Sequence, residues 1–112
     1  MGVKAYSFTL SWSRILPFGR GPVNHLAIAH YNDVIDTCIQ YNITPIVTLY
    51  HWDTPLALQD KYGGWLSEEI VGDFVEYSRI AFSMFGDRVK WWYTVNERKP
   101  LIPKARFHSP EY

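Results

Sequence analysis

Cysteine is almost missing from this 112-residue chain, and the single Cys38 can form no internal disulfide, so nothing implies an oxidising compartment. An excess of charge is missing too. Eleven basic and eleven acidic residues balance to zero, which argues against nucleic acid or a charged membrane as the main partner. No apolar run approaches the roughly 20 residues of a membrane span. The opening Met-Gly-Val-Lys-Ala-Tyr lacks a signal-peptide core, and Tyr6 stands where a myristoylation motif needs Ser or Thr. A cytoplasmic location is therefore the default expectation. Neither a G-x-G-x-x-G pattern nor a P-loop is present, so a dinucleotide-binding reading loses its main support. His51 and Asp53 have no third ligand at recognisable spacing, and no metal or cofactor is expected.

What the chain does have is core-forming material: 47% of its residues are hydrophobic and 17% aromatic. That suffices for one small domain or part of a larger one. Val3 to Trp12 alternates like a strand and runs into Pro17, Gly19, Gly21 and Pro22, which force a loop. Asn24 is placed to cap a helix whose stripe is Ile28, Tyr31, Ile35, Cys38 and Ile39, with Asn42 as a left-handed stop. Cys38 on that stripe reads as core, not as a nucleophile. Ile43 to Tyr50 is the next strand. Asp53 or Thr54 can cap a short helix from Pro55 that Gly63-Gly64 ends. Ser67 caps a longer one with Ile70, Phe74, Tyr77, Ala81, Phe82 and Phe85 on its buried face, and Gly86 stops it. Val89 to Glu97 closes the series as a strand. Strand, helix, strand, helix, strand predicts an α/β fold with a parallel sheet.

The residues that invite chemistry stand where strands end. Glu97 follows Val95 and Asn96, with Trp91, Trp92 and Tyr93 just upstream. A carboxyl in such apolar surroundings has a raised pKa and can serve as a general acid near neutral pH. A solvated carboxylate at a strand end fits the same pattern, and spacing alone leaves the two readings balanced. His51 and Trp52 occupy the equivalent point on the preceding strand. Imidazole and indole N–H groups can bond sugar hydroxyls, and an aromatic face stacks on a pyranose; packing under a loop is the plainer alternative.

Five blocks in order then resemble glycoside hydrolase family 1, the β-glucosidases. They are Ser11-Trp12-Ser13-Arg14-Ile15, Val47-Thr48-Leu49-Tyr50-His51-Trp52-Asp53-Thr54-Pro55, Tyr62-Gly63-Gly64-Trp65-Leu66, Phe85-Gly86-Asp87-Arg88-Val89 and Thr94-Val95-Asn96-Glu97. The resemblance implies a fragment of a (β/α)8 TIM barrel, approximately strands 2–4 with the helices between them. It implies a retaining enzyme that hydrolyses the O-glycosidic bond of β-glucosides, a small-molecule β-glycoside being the partner. Glu97 is then the acid/base, Asn96 holds the sugar 2-hydroxyl, and His51 and Trp52 bind the glycone. Departures accompany it: Ser7 stands where the family usually has Arg, and Arg98 follows Glu97 where the family has Pro. The nucleophilic Glu of the family's seventh strand has no counterpart among these residues.

Residues 98–112 carry three of the seven prolines, four basic residues and one acid, against seven basic and ten acidic residues in 1–97. The expected division is a partial barrel over 1–97 and an unrelated irregular tail over 98–112. A retaining glycosidase needs two carboxyls, so the 112-residue chain is expected to be inactive by itself. It would also leave both sheet edges and the barrel-interior face open. The alternatives from other classes are a non-catalytic sugar-binding module and a structural fragment.

Overall fold

The computed structural model describes residues 4–95. Strands β1 (Lys4–Thr9), β2 (Ile43–Tyr50) and β3 (Trp91–Val95) form one parallel sheet in that order, with β2 in the centre. Two long helices, α2 (His25–Gln40) and α4 (Glu69–Phe85), connect them, preceded by the short helices α1 (Trp12–Ile15) and α3 (Leu56–Tyr62) respectively. The α/β alternation expected from sequence is present.

Register decides which side chains meet. Phe8, Val47 and Trp92 lie in one row across the sheet. That row faces the helices: the Phe8 ring stacks on Tyr31 of α2 at 6.3 Å, and Trp92 meets Phe82 of α4 edge-on at 4.8 Å. The rows Ser7–Ile46–Trp91 and Thr9–Thr48–Tyr93 lie on the opposite face. Trp91 and Tyr93 are 63% and 58% exposed there, so this face of the sheet is largely uncovered.

Local chemistry sets the helix ends. Asn24 Oδ1 accepts the Leu26 N–H at 3.1 Å, and Asn42 takes the left-handed conformation (φ 58°) that turns α2 into β2. At the head of α4 the N-cap is Glu68, not the expected Ser67, although Ser67 Oγ still accepts the Glu69 N–H at 3.1 Å. At the far end Arg88 donates to Asp36 Oδ1 (2.8 Å) and Asn32 Oδ1 (2.7 Å) of α2 and to the Met84 carbonyl (3.0 Å). This guanidinium ties both helices together just before β3 begins.

Several expectations shift. β1 ends at Thr9 because Ser11 caps α1, its Oγ accepting the Arg14 N–H at 3.3 Å; the Leu10 N–H still bonds the Thr48 carbonyl at 2.9 Å. β3 starts at Trp91, two residues later than expected, while Val89 is buried in the core. Pro55, not Asp53 or Thr54, is the N-cap of α3. Gly86 ends α4 without a left-handed turn; a Cβ there would collide with the Phe82 carbonyl oxygen. Ile39 and Phe82, expected inside, are about half exposed, whereas Asp73 is buried. Asp73 tolerates this because Tyr62 Oη donates to it at 2.6 Å and Arg20 pairs with it at 3.0 Å.

Below the sheet, Trp12 stacks on Tyr77 with centroids 5.0 Å apart, and Tyr77 Oη donates to the Leu49 carbonyl at 2.7 Å. Burial pushes the Tyr77 phenol well above its ordinary pKa; burial and the bond to Asp73 push Tyr62 the same way. Trp12 Nε1–H donates to the Gly19 carbonyl at 3.0 Å. Gly19 (φ 79°) lies so close to Leu58 that a Cβ would overlap that side chain.

This packing makes stability testable at two glycines and two phenols. Gly19→Ala should lower unfolding free energy by about 2–5 kcal/mol, combining the left-handed penalty with overpacking. Gly21→Ala has φ 83° but open space and should cost only about 1–2 kcal/mol; urea midpoints of the two variants separate the contributions. Tyr62 and Tyr77 hold their protons more tightly folded than unfolded. Their stabilisation is complete below the unfolded pKa of about 10 and is lost as pH rises beyond it. The urea midpoint should therefore fall above about pH 10, with a shallower slope in Tyr77→Phe.

Candidate active site

Because the strands are parallel, their C-terminal ends share one rim. The Ser11–Ile15 block follows β1 there, and His51 and Trp52 follow β2. Val95, the last described residue of β3, pairs with Tyr50. His51 is exposed, and its backbone N–H donates to Asp53 Oδ1 at 3.3 Å. Trp52 is half-buried with φ 64°, a left-handed conformation for a bulky residue. Such a conformation costs on the order of 1–3 kcal/mol and persists only where its surroundings hold it.

Those surroundings centre on Tyr50, which is fully buried. Its ring meets Trp52 edge-on at 5.5 Å, and Trp65 likewise at 5.4 Å. Its hydroxyl accepts the Trp65 indole N–H at 2.8 Å and shares a 2.6 Å hydrogen bond with Thr54 Oγ1. Burial raises the Tyr50 pKa, and these two hydrogen bonds partly offset that rise. Trp65 reaches Tyr50 through the Gly63-Gly64 pair, both left-handed (φ 84° and 59°), which ends α3 and enters a 3-10 turn over Gly64–Leu66. A Cβ on Gly64 would lie 2.5 Å from Gln59 Oε1 and 3.6 Å from Thr54 Cγ2.

Of the four residues singled out from sequence, His51 and Trp52 are adjacent on this rim, while Asn96 and Glu97 lie outside the described residues. The Tyr50–Thr54–Trp65 network and the buried Asp73 are not legible as site structure from sequence. Their signal is present in the Tyr-His-Trp-Asp-Thr and Tyr-Gly-Gly-Trp blocks, but only as markers of resemblance. Among the described residues no group of three or more His, Cys, Asp or Glu is arranged to hold a metal ion, and no helix is long and apolar enough to cross a membrane.

Known proteins resemble this chain in sequence and fold. The family model for glycosyl hydrolase family 1 matches residues 1–110. The coniferin beta-glucosidase of Pinus contorta is 54% identical over 103 residues, which are 92% of this chain and 20% of that protein. Beta-glucosidase 34 of Oryza sativa subsp. japonica is 54% identical over 113 residues, 98% of this chain and 22% of that protein. Both the family match and this rice relative run past Glu97 into the segment that the sequence sets apart. Among solved structures, a rice beta-glucosidase superposes with a TM-score of 0.83 at 55% identity, over 84% of this chain and 20% of its own. The family 1 beta-glucosidase of Thermotoga maritima gives 0.82 at 58% identity, over 86% of this chain and 21% of its own. The chain thus spans about a fifth of the length of the relatives it matches, and its sheet and helices correspond to part of their TIM barrels. With sequence and fold in agreement, the chain belongs to glycosyl hydrolase family 1.

Proposed function

We propose that this segment contributes the acid/base half of a retaining β-glucosidase site. Glu97 protonates the leaving glycosidic oxygen and later deprotonates the attacking water. Asn96 holds the 2-hydroxyl, and His51 with Trp52 binds the glycone. Beside the family resemblance, one structural observation supports these roles. Val95 pairs with Tyr50, and from those two neighbours the chain passes directly to Asn96-Glu97 and to His51-Trp52. The two pairs thus follow in sequence on paired residues of neighbouring strands. The relatives support the sugar class. The Thermotoga maritima enzyme was solved in complex with deoxynojirimycin, and a rice relative in a covalent complex with Glc.

The chemistry needs a second carboxylate about 5–5.5 Å from the first, to attack the anomeric carbon. Its negative charge also keeps the acid protonated by like-charge repulsion. Glu97 by itself supplies neither attack nor that tuning, so the 112-residue chain alone is inactive in this reading.

Purified 112-residue chain should give no turnover of an aryl β-glucoside. A graft in which residues 1–97 replace the matching fifth of the Thermotoga maritima enzyme completes the barrel and should hydrolyse it. Glu97→Gln in that graft should cost about 10²–10⁴-fold in kcat, the usual size of a general acid/base contribution. Activity of the isolated chain, or an unaffected Glu97→Gln graft, contradicts the reading.

A further inference from the structure

The Tyr62-Gly63-Gly64-Trp65-Leu66 block has no role in the chemistry above, yet it delivers a side chain to the rim. Tyr50 stands two residues before Trp52 and Thr54 two residues after it. The Tyr50 hydroxyl reaches Thr54 Oγ1 at 2.6 Å while its ring lies against Trp52 at 5.5 Å. One buried phenol therefore grips both the middle and the far end of the turn that carries His51 and Trp52. The Trp65 indole N–H, at 2.8 Å, occupies another hydrogen-bonding position on the same oxygen. With Thr54 and Trp65 both in contact, rotation of the phenol hydroxyl is restricted and the ring is fixed against Trp52.

We infer that Tyr50, Thr54 and Trp65 are positioning residues that hold Trp52 at φ 64° and so set affinity for the sugar in the first subsite. None of the three is assigned a contact with substrate; they act through the 51–54 turn. The inference rests on the reading of His51 and Trp52 as glycone ligands. A polar ring-edge clamp suits this task. It opposes relaxation of a strained backbone that a free turn would abandon, and its groups are removable singly with little change of volume. Tyr50→Phe removes the hub oxygen and leaves the Trp65 N–H without its acceptor; Thr54→Val removes one partner and keeps the shape.

The test uses the same complete-barrel graft, with KM for an aryl β-glucoside, Ki for deoxynojirimycin, kcat and Tm measured in parallel. Tyr50→Phe and Thr54→Val should each raise KM and Ki about 3- to 30-fold with kcat changed less than about 3-fold, the pattern of lost ground-state binding. Trp65→Phe combined with Tyr50→Phe should be no worse in Ki than Tyr50→Phe alone, since one hydrogen bond is removed from either end. A purely structural role predicts the opposite: lower Tm and a smaller active fraction, with KM and Ki unchanged, and that result overturns the inference. His51→Ala and Trp52→Ala in the same graft separate the two failures. If they leave Ki unchanged, the glycone reading itself is wrong; if they raise Ki while the three positioning variants do not, only the clamp is wrong.

Discussion

The position of His51 and Trp52 depends on β2 pairing with a neighbour on each side. Its last four residues, Val47 to Tyr50, are almost entirely buried. Their backbone is committed on both edges: Thr48 receives the Leu10 N–H from beyond β1, and Tyr50 pairs with Val95 of β3. A one-residue slip would turn the Phe8–Val47–Trp92 row away from the helices and expose it to water. The row is therefore locked by hydrophobic burial, and the rim above it inherits that register.

The helices are set by contacts to the same strand and by charges between themselves. Tyr77 of α4 donates to the Leu49 carbonyl, one residue before the clamp on the rim begins. Arg88 joins α2 to α4 next to β3, and Arg20 joins the loop after β1 to Asp73 on α4. Ion pairs that reach solvent, as these do through Arg20 and Asp36, contribute modest energy individually. Their value is geometric, since they bridge segments more than 50 residues apart. A buried strand end with a strained turn above it suits the proposed glycone subsite, where small displacements of a ligand side chain are costly in rate.

The elements are legible in the sequence because their signals are local. Asn24, Asn42 and Gly63 are capping residues that act within one turn, and each lies at the helix boundary expected of it. Ile43–Tyr50 is legible to the residue, since a run of strand length rich in β-branched residues (Ile43, Thr44, Ile46, Val47, Thr48) and bounded by turn signals favours a strand over a helix. The family follows from five short blocks in order. What is not legible depends on partners distant in the chain. Asp73 carries no mark of burial in its own helix, because its partners are Arg20, 53 residues away, and Tyr62. Tyr50 reads as an ordinary buried aromatic, because hydrogen bonds to its hydroxyl leave no trace in hydrophobic periodicity. The roles proposed for Asn96 and Glu97 come from the resemblance and not from spacing, which cannot separate a buried acid from a solvated one.

As proposed, Glu97 donates the proton to the leaving glycosidic oxygen. The most direct measurement is the pH profile of kcat/KM for an aryl β-glucoside, in the complete-barrel graft with and without Glu97→Gln. The alkaline limb of such a profile reports the essential acid of the free enzyme. Glu97→Gln is expected to abolish the alkaline limb while the acidic limb, set by the second carboxylate, stays in place. An alkaline limb that persists unchanged in Glu97→Gln would contradict that role.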